Sequence, residues 1–141
     1  MKNMIKRFKN ERGITLVELL AVVVILAIIG TIAFVLIGNV IENSKKDAHI
    51  ANAQQLISAA KLYEAETGEE IGESGVSSDD ELEDFIDPLV NPWTKETDGD
   101  YTGTVTKEDS EYKVELPSND NGCDINNKEE EILKGREEVC P

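Results

Sequence analysis

A run of 23 residues without a charged side chain, from Leu19 to Ile41, is the sequence feature that most constrains how this chain can fold. At about 1.5 Å per residue, a helix of that length can cross a hydrocarbon layer of about 30 Å. An ordinary secretory signal has a shorter apolar region, of about 7–15 residues, and is removed. The sequence therefore predicts a membrane helix that is retained.

The first 13 residues of the chain are basic. Five basic residues are opposed by one acid: Lys2, Lys6, Arg7, Lys9 and Arg12 against Glu11. Because loops rich in Lys and Arg remain on the cytoplasmic side, we expect a single-pass protein of the inner or cytoplasmic membrane with a cytoplasmic N-terminus. The remainder of the chain then lies outside.

Beyond Ile41 the apolar pattern becomes one-sided. Apolar residues recur at steps of three and four: Ala53, Leu56, Ile57, Ala60 and Tyr63. This spacing is typical of an amphipathic helix, and we expect one helix from about Ile14 to Glu66. Thr67 and Gly68 supply its C-terminal stop. Residues 14–41 are then the membrane or filament-core half, and residues 42–67 the amphipathic half.

Residues 68–141 are predicted to form an acidic globular head. Glu69–Asp80 has the composition of a loop, and Glu81–Ile86 of a short helical turn. Tyr101–Thr106 and Tyr112–Leu116 are rich in β-forming residues, and the polar stretch Lys107–Glu111 between them suits a hairpin. The predicted fold class is α+β, with the long helix packed on a small antiparallel sheet.

The tail of the head is bracketed by Cys123 and Cys140. Two cysteines outside the membrane suggest a disulfide, and closing a loop of this size stabilises a fold by about 3 kcal/mol in the chain-entropy model. Free thiols or an intermolecular role are the alternatives. One helical turn between the cysteines is suggested by Glu129, Glu130, Glu131 and Lys134.

The chain is strongly acidic, with a formal net charge of -15. Loss of residues 1–13 would remove five basic groups and one acid and leave -19. Such a surface repels phosphate backbones, so we expect no direct nucleic acid binding, and an acidic coat also keeps a protein soluble.

The residues before the apolar run form a recognisable motif: Arg12, Gly13, Ile14, Thr15, Leu16, Val17, Glu18, Leu19 and Leu20. This segment resembles the processing site of type IV prepilins and of the related type II secretion pseudopilins, which have a class III signal peptide. The resemblance implies that a prepilin peptidase removes the basic leader, residues 1–13, by cutting between Gly13 and Ile14. It also implies N-methylation of Ile14 and an assembly role for Glu18.

An acid at position 18 needs a physical explanation of its own. A carboxylate in an apolar membrane helix costs up to about 2.5–3.5 kcal/mol and usually has a partner. No basic residue occurs from Leu19 to Ser44. The candidate cation is the α-amino group that cleavage creates at Ile14, in the same subunit or a neighbouring one. By resemblance to the family, Glu18 neutralises a neighbour's amino terminus and sets register. The alternative makes Glu18 the last interfacial residue of a signal anchor.

Two positions depart from the family pattern. The residue after the cut is usually phenylalanine and here it is Ile14, which leaves the extent of methylation open. Many pilins also have a proline where Val35 stands, so the helix is expected to be straighter, with Gly30 and Gly38 as its weak points.

Three further features outside the motif bear on function. Asn91-Pro92-Trp93 resembles the Asp-Pro-Trp element of the major type II secretion pseudopilin, and we expect Pro92 to fix a turn and Trp93 to cap the core. We expect the acids of the turns to be solvated, and a calcium site is the weaker alternative because their spacing does not match a clean ligand set. These acids are Asp98, Asp100, Asp120, Asp124 and Glu131. His49 is interpreted as a surface or packing residue, and no catalytic set surrounds it, so no enzyme is predicted.

The predicted function is that of a structural pilin. Its partners would be copies of itself in a helical filament, membrane lipid before assembly, the prepilin peptidase, an assembly ATPase and a membrane platform protein. The alternatives are a pseudopilin of a type II secretion or competence system and, from another class, a membrane-tethered binding module. Adhesion, twitching motility, secretion and DNA uptake remain open, as does the final location in an extracellular pilus or a pseudopilus in the periplasm or cell wall.

Overall fold

A computed structural model describes the backbone of residues 2–97, 100–118 and 123–141, and the side chains of the same residues from 15 onward. The chain divides into two compact units, Met1–Ile41 and Glu42–Pro141. The long helix α1, Lys2–Thr67, runs through both units. The second unit adds four strands and two short helices, and the predicted α+β fold class is confirmed.

The C-terminal end of α1 lies where the sequence predicted it. Gly68 has a φ of 73°, which a residue without a Cβ adopts at little cost, and its amide donates to the Glu64 carbonyl at 3.0 Å. The N-terminal end was predicted wrongly, because helical backbone continues back from Ile14 to Lys2. Residues in the basic leader are mostly good helix formers, and no proline or helix-stopping turn precedes Ile14.

The first unit buries little of its apolar surface. Its exposed large apolar side chains, from Leu16 to Ile41, have exposed fractions from 49% at Val24 to 83% at Phe34. Within the described residues, Thr15–Thr67 contains one window long and apolar enough to cross a membrane, with a mean hydropathy of 3.2 and none of it buried. An exposed apolar surface of this size fits contact with lipid or with other helices.

The sheet of the second unit is antiparallel throughout, in the order β1-β2-β3-β4. Its strands are β1 (Val76–Ser77), β2 (Thr104–Glu108), β3 (Glu111–Leu116) and β4 (Ile125–Lys128). The register pairs Val76 with Val105, Val105 with Val114, and Leu116 with Ile125. These apolar pairs share one face, as the two-residue period of a strand requires.

The predicted hairpin is present, but its bounds differ from the prediction. Lys107 and Glu108 belong to β2 and pair with Tyr112 and Glu111, so the turn contains only Asp109 and Ser110. Their φ values of 50° and 71° belong to the primed turns that match the twist of paired strands. The predicted strand residues Tyr101 to Gly103 lie outside β2.

The core forms where the sheet covers the second half of α1. The predicted stripe is confirmed, since Ala53, Leu56, Ile57 and Ala60 are at most 3% exposed and Tyr63 packs beside them. Leu82, Val105, Val114, Leu116, Ile125 and Ile132 complete the fully buried aliphatic set. The rings of Phe85 and Trp93 lie at the margin of this core.

Short elements close the second unit. The helical turn predicted between the cysteines is present as α2 (Glu129–Lys134), followed by α3 (Arg136–Val139). Residues 81–86 form hydrogen-bonded turns rather than a helix, including the Phe85 amide on the Leu82 carbonyl at 2.9 Å. Strands β1 and β4 were not predicted, because two residues and the sequence Ile-Asn-Asn-Lys carry too little β pattern.

Candidate processing and assembly site

The motif around the predicted cleavage point has helical backbone in α1. The surroundings of Gly13 and of the Ile14 side chain lie outside the described part of the structure. Residues four apart on a helix share a face, which places Glu18 on the same face as Ile14. A cut before Ile14 would also leave Glu18 in the first turns of the mature helix, where the helix dipole favours a negative charge.

Glu18 lies exposed on α1, among apolar neighbours. Leu16, Val17, Leu19 and Leu20 around it are 59–68% exposed. In the part of the chain whose side chains are described, Glu18 forms no salt bridge and no side-chain hydrogen bond. A carboxylate in this setting costs free energy in a membrane until a cation reaches it.

The structure has the features of an anchored subunit: an exposed apolar helix, with one acid near its start, comes before an α+β head. Residues 8–34 match the family model described as the prokaryotic N-terminal methylation motif. This motif is the class III signal peptide of type IV pilins and pseudopilins, and it supports a structural, pilin-like or pseudopilin-like protein. It implies processing by a prepilin peptidase and assembly in general, and with the apolar helix it fits membrane anchoring before assembly. No curated protein and no solved structure matches the chain.

The predicted disulfide between Cys123 and Cys140 is present, with their Cα atoms 5.5 Å apart. Both cysteines are buried. The bridge fastens the end of the chain beside α1, where Arg136 forms an ion pair with Asp47 at 3.2 Å and Lys46 donates to the Pro141 carbonyl at 2.6 Å. The two free thiols of the alternative interpretation are absent from the structure.

His49 is a packing residue and is completely buried, whereas the sequence left open a surface position. Its Nδ1 lies 2.6 Å from the Tyr101 hydroxyl, which also accepts a hydrogen bond from Asn52 Nδ2 at 3.0 Å. Nε2 has no geometrically acceptable partner within the described residues, although the backbone of Cys123 and Leu116 lies near enough to favour its protonated form. Burial outweighs that effect and lowers the pKa of His49.

A second polar cluster, which is partly buried, is centred on Glu64. Its carboxylate accepts hydrogen bonds from Lys107 Nζ at 2.9 and 3.0 Å, from the Ile71 amide at 2.8 Å, and from the Tyr112 hydroxyl. Burial alone would raise the pKa of Glu64, but these donors, with Tyr112 first, lower it below its ordinary value. The cluster joins α1 to β2 and β3, so its role is structural.

The loop that contains Trp93 is fastened to the first turn of the second unit. Asn91 Oδ1 accepts from the amides of Trp93 at 2.9 Å and Thr94 at 3.4 Å, which makes the predicted turn. The indole Nε1 of Trp93 donates to Glu42 Oε1 at 3.1 Å. Sequence reasoning missed this contact because 51 residues separate its two partners, and no local pattern links them.

The calcium interpretation gains no support from the described acids. Asp98 and Asp120 lie outside the described residues. Asp124 accepts hydrogen bonds from the Ser118 amide at 2.7 Å and its hydroxyl at 2.9 Å, and Glu131 accepts from Asn127 at 2.9 Å. Among the residues that the structure describes, no group of three or more potential metal ligands comes together.

Proposed function

We propose that this protein is the structural subunit of a type IV pilus or related filament, cut between Gly13 and Ile14 and assembled through α1. The observation that carries the proposal is the methylation motif over residues 8–34, in which Glu18 directly precedes a charge-free apolar run. A simple anchor gains nothing from that carboxylate, because a buried or membrane-embedded charge without a partner only costs free energy.

Cleavage supplies the missing partner. The new α-amino group of Ile14 is a cation at neutral pH, and Glu18 is the first acid of the chain that cleavage would leave, in the same or a neighbouring subunit. Pairing between neighbours would set the stagger of subunits along the filament axis. N-methylation of Ile14 by the prepilin peptidase keeps that amine basic. The role of these residues thus depends on processing.

The exposed face of the first unit supports helix-to-helix packing in the filament. Large apolar side chains cover most of it, and small residues at Ala21, Ala27, Gly30 and Ala33 allow backbones to approach closely. Subunits would exchange lipid contacts for contacts with neighbouring helices. A cytoplasmic ATPase and a membrane platform protein would drive that transfer, with the N-terminus on the cytoplasmic side and the acidic heads outside.

Replacement of Glu18 by Ala tests the assembly role. Glu18→Ala is expected to abolish sheared surface fibres while the protein still accumulates in the membrane. The matched control is Glu66→Ala, which removes an exposed acid from the same helix outside the motif and is expected to leave fibre yield unchanged. Unchanged fibre yield in Glu18→Ala would favour the membrane-tethered binding module instead.

A pseudopilin shares each of these N-terminal features, and abundance separates the two filament types. A major pilin is the dominant protein of sheared surface fibres. A fibre preparation that lacks this chain, from cells that process it normally, would assign it to a pseudopilus of a secretion or DNA-uptake system.

A further inference from the structure

Glu42 marks the point at which the chain leaves the apolar run. It directly follows Ile41 and is the first charged residue after Glu18. Asn43, Ser44, Lys45 and Lys46 come next, so the sequence changes from apolar to polar within one residue. Where residues 19–41 span a bilayer, Glu42 therefore lies at the boundary between hydrocarbon and headgroups.

The Trp93 side chain is held beside that boundary residue by two contacts. Its Nε1 donates to Glu42 Oε1 at 3.1 Å, and its ring meets the His49 ring edge-on with centroids 5.2 Å apart. Glu42 and His49 are seven residues apart, which is about 10 Å along a helix. Both contacts keep the indole within that interval, next to the first turns after the apolar run.

The loop around Trp93 is well fixed although the indole itself is only partly buried. Asn91 is 1% exposed. Its backbone N–H donates to the Glu96 backbone carbonyl at 3.0 Å, and its backbone carbonyl accepts from the Lys95 backbone N–H at 2.8 Å. These bonds close the turn from both ends. Trp93 thus presents a fixed, partly exposed aromatic surface rather than a mobile one.

We propose that Trp93, Glu42 and Lys45 form a contact surface for the headgroup layer of a phospholipid bilayer in the subunit before assembly. That layer is about 5–7 Å deep on each side of the hydrocarbon, and indole rings favour it. Lys45 Nζ lies 4.0 Å from Glu42 Oε2, so it is at the same level of the helix as the indole partner. Its side chain is 31% exposed, so its ammonium group can also reach a lipid phosphate. The inference rests on the membrane-anchored state of the proposed function.

Trp93 is the single tryptophan of the chain, so its fluorescence reports on this surface alone. The full chain is reconstituted in vesicles of phosphatidylethanolamine and phosphatidylglycerol that contain one of two quenching lipids. One carries a nitroxide on its headgroup, and the other carries bromine near the middle of its acyl chains. We expect the headgroup quencher to reduce Trp93 emission strongly and the acyl-chain quencher to reduce it little.

A second reporter provides the matched control. Leu62 is 46% exposed and lies 20 residues beyond Glu42, about 30 Å along α1. In the Trp93→Phe background, Leu62→Trp is expected to lose no emission with either quencher. Equal quenching of the two reporters by the headgroup quencher would overturn the proposal, because it would mean that the whole second unit contacts lipid.

Flotation of the vesicles distinguishes failure of membrane anchoring from failure of the proposed contact surface. A chain that does not float with the vesicles contradicts membrane anchoring and this inference together. A chain that floats but whose Trp93 emission is unchanged by the headgroup quencher overturns the contact surface and leaves anchoring intact. Emission that is quenched at low protein content and becomes insensitive only at high content supports the proposal, because the proposal concerns the subunit before assembly.

Discussion

The Nδ1 atom of His49 and the hydroxyl of Tyr101 lie 2.6 Å apart in the interior of the second unit, although 52 residues separate them in the chain. Burial raises the pKa of Tyr101 to about 12, so its hydroxyl keeps its proton. That hydroxyl accepts from Asn52 Nδ2 and can donate to His49 Nδ1. With Tyr101 as the donor, Nδ1 accepts and the imidazole is neutral, in agreement with the lowered pKa of His49.

The first prediction is a loss of stability in mild acid. Burial lowers the pKa of His49 in the folded state below the value of 6.5 expected in the unfolded chain. The unfolded state therefore takes up the proton first, and stability falls as the pH decreases below about 6.5 until the folded-state pKa is reached. Denaturant midpoints for the full chain in detergent should decrease between about pH 8 and 5.

A His49→Gln variant is the control for this pH dependence. It keeps a polar side chain of similar size but cannot titrate, so its midpoint should change less across the same pH range. Asp124 is the acid whose charge favours protonated His49, and it remains in both proteins. The same slope in wild type and His49→Gln would assign the pH dependence to other groups.

The second prediction concerns the close approach of Gly103 to α1. A Cβ atom at this position would lie 2.3 Å from Leu56 Cδ1 and 3.1 Å from Leu116 Cδ1, and both leucines are completely buried. Gly103→Ala is expected to lower the free energy of unfolding by about 1–3 kcal/mol, since the packed leucines must shift. Gly72→Ala is the control, because nothing lies within 4 Å of its Cβ. Equal stability of the two variants in thermal unfolding would contradict this packing.

The third prediction concerns the carboxylate of Glu64. Glu64→Gln removes the charge that accepts from Lys107, Tyr112 and the Ile71 amide, and it is expected to cost about 1.5–3 kcal/mol. Because the folded-state pKa of Glu64 is below 4.5, its contribution is present above that pH and is lost as the pH falls through the lowered pKa. Glu115→Gln, at an exposed position of β3, should change the free energy of unfolding by less than about 0.5 kcal/mol.

The fourth prediction concerns the disulfide. Cys123 and Cys140 are 17 residues apart, and loss of a bridge over such a loop costs about 3 kcal/mol in the chain-entropy model. The double variant Cys123→Ser, Cys140→Ser and the reduced wild type should therefore unfold at similar, lower denaturant concentrations than the oxidised wild type. Two reactive thiols in protein isolated from the cell without reductant would contradict the bridge.

The sequence was sufficient for α1 and the hairpin because their signals are local. The uncharged run and the stripe of Leu56 and Ala60 each lie within a few helical turns, and so does the stop at Gly68. β4 has no such signal, since Asn126 and Asn127 disfavour strands and are held there by pairing with β3. β4 is therefore a strand because of its pairing with β3, which the local sequence does not indicate.

The candidate site likewise has a part with a local sequence signal and a part that depends on tertiary contacts. Gly13, Ile14 and Glu18 lie within a stretch of six residues, so the sequence alone was sufficient to predict the motif. The Trp93 contact with Glu42 and the burial of His49 depend on how the head folds back on α1, and the sequence offered only the turn at Asn91.

Mass spectrometry of the mature N-terminus tests the central claim most directly. The chain is produced in cells that contain a prepilin peptidase, and the membrane-bound form is purified. We expect a protein that begins at Ile14, with or without the mass of one methyl group, and a Gly13→Leu variant that retains its leader. A wild-type chain that still begins at Met1 in the presence of active peptidase would contradict cleavage and the Glu18 partner that it creates.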